Sequence, residues 1–155
     1  MRVIINDSSV LIDLAKARLI ENALQLPYQF VIPDVIFADE LLRLKHYQRD
    51  QLLDLGFVLG ELDGARVATV YSYSARYTVL SINDCFALVL AETTDNAILL
   101  TGDKALRVTA EKHGVETRGI LWLIDQMQDS GTADAETLHA ALQLLAHDPL
   151  GVCPA

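Results

Sequence analysis

Ala97-Ile98-Leu99-Leu100-Thr101-Gly102-Asp103-Lys104 is an apolar run that stops at a turn and an acid. Four apolar residues in a row, too few for a helix and flanked by polar residues, read as a strand buried on both faces. Gly102-Asp103 then turns it into a helix whose end is marked by His113-Gly114, since glycine suits the left-handed residue after a helix. The opening of the chain repeats the pattern. Val3-Ile4-Ile5 is a short apolar strand, Asp7-Ser8-Ser9 supplies helix-capping chemistry, and Val10, Leu11, Leu14 and Ala15 follow at helical spacing.

Further along, Phe30-Val31-Ile32 stops at Pro33, and Asp34 is placed to cap a helix reaching about Tyr47. A helical stretch over 49–55 ends at Gly56, and 57–59 forms a short strand. Helices follow from Asp63 to about Tyr77 and from Ser81 to Glu92. Val115–Arg118 supplies one more strand, ahead of helices over 120–128 and 137–146. Strands alternating with helices argue a central parallel sheet covered on both faces, a three-layer α/β/α fold. Residues 1–146 read as one domain, and 147–155, with Pro149, Gly151 and Pro154, as an irregular tail.

The charge is uneven. The chain of 155 residues carries a net charge of −9. Residues 119–155 hold five acids and neither lysine nor arginine. Such a chain does not grip nucleic acid through a broad basic surface, so a nucleic-acid substrate must be held locally. An acidic surface also suits a basic protein partner. Cys85 and Cys153 lack metal-type spacing and fit a reducing cytoplasm. The opening residues are too polar for a secretory signal, and no apolar run reaches membrane-spanning length. The four histidines form no zinc-type cluster, and no Gly-rich phosphate loop or nucleophile elbow is present.

Four acids carry the functional reading: Asp7, Glu40, Asp84 and Asp103. A carboxylate among apolar neighbours is costly unless compensated, and a divalent cation compensates it. Asp7 and Asp103 each end a strand, at the edge where open parallel sheets bind ligands. The competing role for each is a helix cap. Asp84 fits a capping box with Ser81, yet it shares its helical face with Ala87, Leu88 and Ala91, which aims it over the sheet. Glu40 lies among Ile36, Phe37 and Leu44, whereas its neighbour Asp39 has Arg43 four residues on and reads as solvated. Lys16, Arg18, Arg43, Lys45, Lys104 and Arg107 are candidates to hold substrate phosphates, with surface solvation as the alternative for each.

The order Asp, Glu, Asp, Asp on an α/β chain of this length resembles the PIN domain family, over roughly Arg2 to Gln128. The resemblance rests on Ile5-Asn6-Asp7-Ser8-Ser9, on Ile32-Pro33-Asp34 leading to Asp39-Glu40-Leu41, on Leu80-Ser81-Ile82-Asn83-Asp84 and on Leu100-Thr101-Gly102-Asp103. It implies a single-strand ribonuclease dependent on Mg²⁺ or Mn²⁺, and a VapC-like toxin of a toxin–antitoxin pair. Asp7, Glu40, Asp84 and Asp103 would be its catalytic, metal-holding acids, with Ser9 and Thr101 supporting them. An RNA substrate, an antitoxin protein and a homo-oligomer, most simply a dimer, are the expected partners. The apolar helices over 10–24 and 35–55 would offer such partners a groove. Two rivals remain open. One is a catalytically silent PIN-like binding module. The other is a phosphatase with Asp7 as nucleophile, weakened because Ser9 stands where its second acid belongs.

Overall fold

The structure, a computed structural model, describes residues 1–39 and 49–146. Five strands form one sheet: β1 (Arg2–Asn6), β2 (Tyr28–Pro33), β3 (Val58–Gly60), β4 (Ala97–Leu100) and β5 (Glu116–Arg118). All are parallel, in the order β3-β2-β1-β4-β5. Ile4 stands between Phe30 and Ile98, and Ile5 between Val31 and Leu99.

Successive residues of a strand point to opposite faces, and this sheet needs apolar cover on both. Ile4, Phe30, Ile32, Ile98 and Leu100 face one layer, built from α1 (Ser8–Lys16), α2 (Ile20–Leu24), α4 (Arg49–Leu55), α8 (Ile120–Ser130) and α9 (Ala135–Ala146). Ile5, Val31 and Leu99 face the other layer, built from α5 (Gly64–Arg76), α6 (Ile82–Glu92) and α7 (Lys104–Lys112). A short helix, α3 (Asp34–Asp39), leaves the end of β2. Each fully buried Ile or Leu stabilises the fold by roughly 1.5–3 kcal/mol. This is the expected three-layer α/β/α architecture.

The apolar stretch over 10–24 is divided between two helices, at a boundary the sequence reading did not place. Arg18 adopts a left-handed backbone, φ 59°, and closes α1. The Leu19 N–H donates to the Leu14 carbonyl at 2.9 Å and the Arg18 N–H to that of Ala15 at 3.1 Å, the double bond of a Schellman ending. Leu14 and Leu19, both fully buried, belong to one core cluster. Glycine normally takes the left-handed place, so arginine there hides the break from a sequence reading.

At the end of α7 the usual residue is present. Gly114, at φ 76°, and Val115 make the same pair of bonds, 3.0 Å each. Beside it His113 knits the second layer together. Its Nδ1 lies 2.9 Å from Glu92 and its Nε2 2.7 Å from the Tyr77 hydroxyl, while Tyr73 donates to Glu92 at 3.0 Å. Glu40, Arg43, Lys45 and the tail 147–155 lie outside the described residues.

Candidate active site

The sheet order places the site. From β1 the chain steps to β2 and β3 on one side, then returns past β1 to β4 and β5 on the other. Connections leaving β1 and β4 therefore diverge, opening a crevice at the carboxyl ends of these neighbouring strands, where open α/β sheets bind ligands. Asp7 stands at the exit of β1, and Thr101, Gly102 and Asp103 at the exit of β4. Their backbones are stapled together: the Asp7 N–H donates to the Leu100 carbonyl at 2.9 Å.

Asp7 occupies the capping position of α1 but makes no side-chain cap bond. Instead its Oδ2 accepts from the Ser9 hydroxyl at 2.9 Å and from the Thr101 hydroxyl at 2.8 Å. The residue is 4% exposed. Each hydroxyl is itself fixed from the far side. Ser9 Oγ accepts from the Gly102 N–H at 3.1 Å, and Thr101 Oγ1 from the Asp103 N–H at 3.0 Å. Two side-chain hydroxyls thus carry the β4 exit onto the acid of the β1 exit.

Asp103 is exposed and caps α7, its Oδ1 accepting from the Leu106 N–H at 2.9 Å. That bond is worth about 1 kcal/mol of helix stability. It also holds the carboxylate at the crevice, joined to Asp7 through Thr101. Asp84 is half-buried and completes the capping box of α6: Ser81 N–H to Asp84 Oδ2 and Asp84 N–H to Ser81 Oγ, 3.0 Å each. Because α6 leads back into β4, its first turn lies at the same edge of the sheet. Burial, and then the neighbouring Asp84 charge, pushes the Cys85 thiol up to about 11. Among the described residues no three Asp, Glu, His or Cys side chains group closely enough to hold a metal ion. Glu40, the remaining acid of the expected quartet, lies outside them.

The cations separate by position. Lys104 is the first residue of α7 and Arg107 is one turn on, both beside the crevice. Lys16 ends α1, about 12 Å along the helix axis from its start at a rise of 1.5 Å per residue. Since α1 begins at the crevice, Lys16 stands at the far end of the helix from it, and Arg18 lies farther still.

Two buried acceptors escaped the sequence reading. Asn6, fully buried at the end of β1, donates through Nδ2 to the Val31 carbonyl at 3.0 Å, while its Oδ1 has no hydrogen-bond partner among the described residues. Asp34 is the first residue of α3 rather than its cap, and its Oδ1 is likewise buried without a partner among the described residues. Both sit at carboxyl ends of adjoining strands. The only sequence signal for Asn6 was an amide closing an apolar run.

Among the described residues, the donors placed at the crevice are carboxylate and hydroxyl oxygens. Such donors suit a hard cation, Mg²⁺ or Mn²⁺, rather than zinc. Among the described residues no helix is long and apolar enough to cross a membrane.

Comparison with known proteins agrees with this fold. No curated protein matches the chain. Among solved structures, its fold is similar to that of a PilT N-terminus domain protein, SSO1118, from the hyperthermophilic archaeon Sulfolobus solfataricus P2. The TM-score is 0.51 at 18% identity, covering 83% of this chain and 95% of that one. Residues 3–150 match the family model DUF3368, described as a PIN domain. With that match spanning nearly its whole length, the chain belongs to the PIN domain family, which commonly includes nucleases.

Proposed function

We propose that this PIN domain is an endoribonuclease that hydrolyses phosphodiester bonds of single-stranded RNA with Mg²⁺ or Mn²⁺, and that it is the toxin of a toxin–antitoxin pair. The observation that carries the reading is Asp7: a nearly buried acid at a strand end that forgoes its cap bond and is oriented by two hydroxyls. A carboxylate serving only to start a helix would accept from the first backbone N–H groups, as Asp103 does. The oxygen-only donor set supports a hard cation, and family membership supports a nuclease.

Asp7, Glu40, Asp84 and Asp103 would hold the ion. When bound, it supplies activation of the attacking water and charge neutralisation at the leaving oxygen. The rest falls to the protein. Ser9 and Thr101 keep Asp7 in one orientation, Asp103 and Asp84 add negative charge at helix starts, and Lys104 and Arg107 draw the substrate phosphate to the crevice. In this reading the cytoplasmic antitoxin silences the crevice, and the toxin assembles as a dimer. The phosphatase reading lacks its general acid, because the residue two beyond Asp7 is Ser9, whose hydroxyl is committed to Asp7 itself.

Mixed-sequence single-stranded RNA incubated with the protein and Mg²⁺ or Mn²⁺ tests the proposal. Cleavage is expected for the native chain, with a loss of about a hundredfold or more in Asp7→Asn and in Asp84→Asn, since each removes a metal-holding oxygen. Undiminished cleavage in both variants, or cleavage that persists in excess EDTA, overturns it.

A further inference from the structure

We propose that the outer face of the α8–α9 pair is a docking site for an amphipathic, positively charged helix of another protein. The inference is independent of whether the crevice cleaves RNA. Leu123 and Met127 of α8, with Ala141 and Leu145 of α9, are buried in the core. Beside that core face the two helices leave a groove of about 340 Å³, floored by the buried Ile124 and Leu138 and edged by Leu121 and Leu142. Leu121 is 37% and Leu142 40% exposed, so two leucines stand in water at its lips. Asp125 and His139 also line it. That volume accepts a few apolar side chains, in the manner of a helix laid in a groove with anchors at i, i+3 or i+4, and i+7.

Charge decides the occupant. From Gly119 onward the sequence has five acids and no lysine or arginine. Four of the acids, Asp125, Asp129, Asp134 and Glu136, belong to α8, α9 and the turn between them. RNA phosphates are repelled by such a surface. A second copy of this chain, meeting the same patch about a two-fold axis, would set acid against acid. A partner with leucine-type anchors flanked by Lys or Arg satisfies both the groove and its rim.

A labelled 18-residue synthetic peptide, with leucines at helical spacing on one face and lysines on the other, is the probe. Its fluorescence anisotropy is measured against the full-length protein. Binding is expected, weakened at least tenfold by Leu121→Gln/Leu142→Gln and several-fold by Asp125→Asn/Asp129→Asn, and unchanged in Asp7→Asn. Because the substituted leucines are exposed, circular dichroism of that variant should match the native protein. A matched peptide with glutamate for lysine should not bind. Absence of binding, equal binding of the glutamate peptide, or indifference to the leucine substitutions overturns the proposal. So does an RNA oligonucleotide that displaces the peptide, or a dimer in sedimentation that the leucine variant dissolves.

Discussion

Thr101 joins the two acids of the crevice, giving its proton to Asp7 and taking that of the Asp103 N–H. Thr101→Val keeps the shape and leaves both groups short of a partner, at a cost of about 1–3 kcal/mol. As a positioning residue, Thr101 should show itself in metal dependence. The variant is expected to cleave RNA at least tenfold more slowly and to need more Mg²⁺ for half-maximal rate, whereas an unchanged Mg²⁺ requirement would mean Thr101 is only structural. Cys85 offers a test at the same scale. Its thiol titrates near 11 against an ordinary 9, so the fold favours the protonated form. That contribution is complete below about pH 9 and is lost as pH climbs through about 11. With Cys153→Ser leaving a single thiol, iodoacetamide at pH 8 should modify Cys85 roughly a hundredfold more slowly in the folded than in the unfolded protein, by mass spectrometry. Rapid labelling of the folded chain would contradict the burial. Of the site, the sequence marked Asp7 and Asp103 because each follows an apolar run, Asp84 and Glu40 by their apolar helical neighbours, and Ser9 and Thr101 only through the family resemblance. It offered a helix cap as a role for Asp7, Asp84 and Asp103 alike, and could not reveal that Asp7 alone of the three forgoes it. That distinction depends on a bond between residues 94 positions apart.

Helix ends show where local chemistry speaks and where it is silent. Gly114 and Gly56 were readable as stops because only glycine enters the left-handed region freely. Arg18 does the same work against its preference, and the break between α1 and α2 went unread. Arg18→Gly is therefore expected to stabilise the protein by about 1 kcal/mol, relieving a left-handed residue that bears a Cβ. The melting temperature should rise by about 2–4 °C. A fall would show that the arginine side chain contributes more than its backbone costs. Strands were legible for a different reason: cover on both faces makes them continuous apolar runs. Asn6 was not, since an amide closing such a run looks like a boundary, and its bond to Val31 crosses to another strand.

Across the whole molecule, the balance of charge sets how RNA can be held. A chain of net charge −9 releases few counterions on binding, and the crevice offers chiefly Lys104 and Arg107. With about two phosphates neutralised, affinity for single-stranded RNA should fall only about sevenfold between 50 and 200 mM salt, at a slope near −0.7 per contact. Measured on Asp7→Asn, which binds without cutting, Lys104→Ala should flatten that slope further; a steep slope would locate an undiscovered basic surface. The order of the sheet could not be derived from the sequence, because periodicity within strands carries no information about which strands are neighbours. That order has a temporal consequence. β1 is made first, yet its partner β4 is translated some ninety residues later. Until then the exposed flank of β1 awaits its neighbour, and Asp7 has no Thr101 to hold it. A nascent chain that has not yet reached residue 101 therefore lacks half of the crevice, so any activity housed there must wait until β4 and the turn after it have emerged.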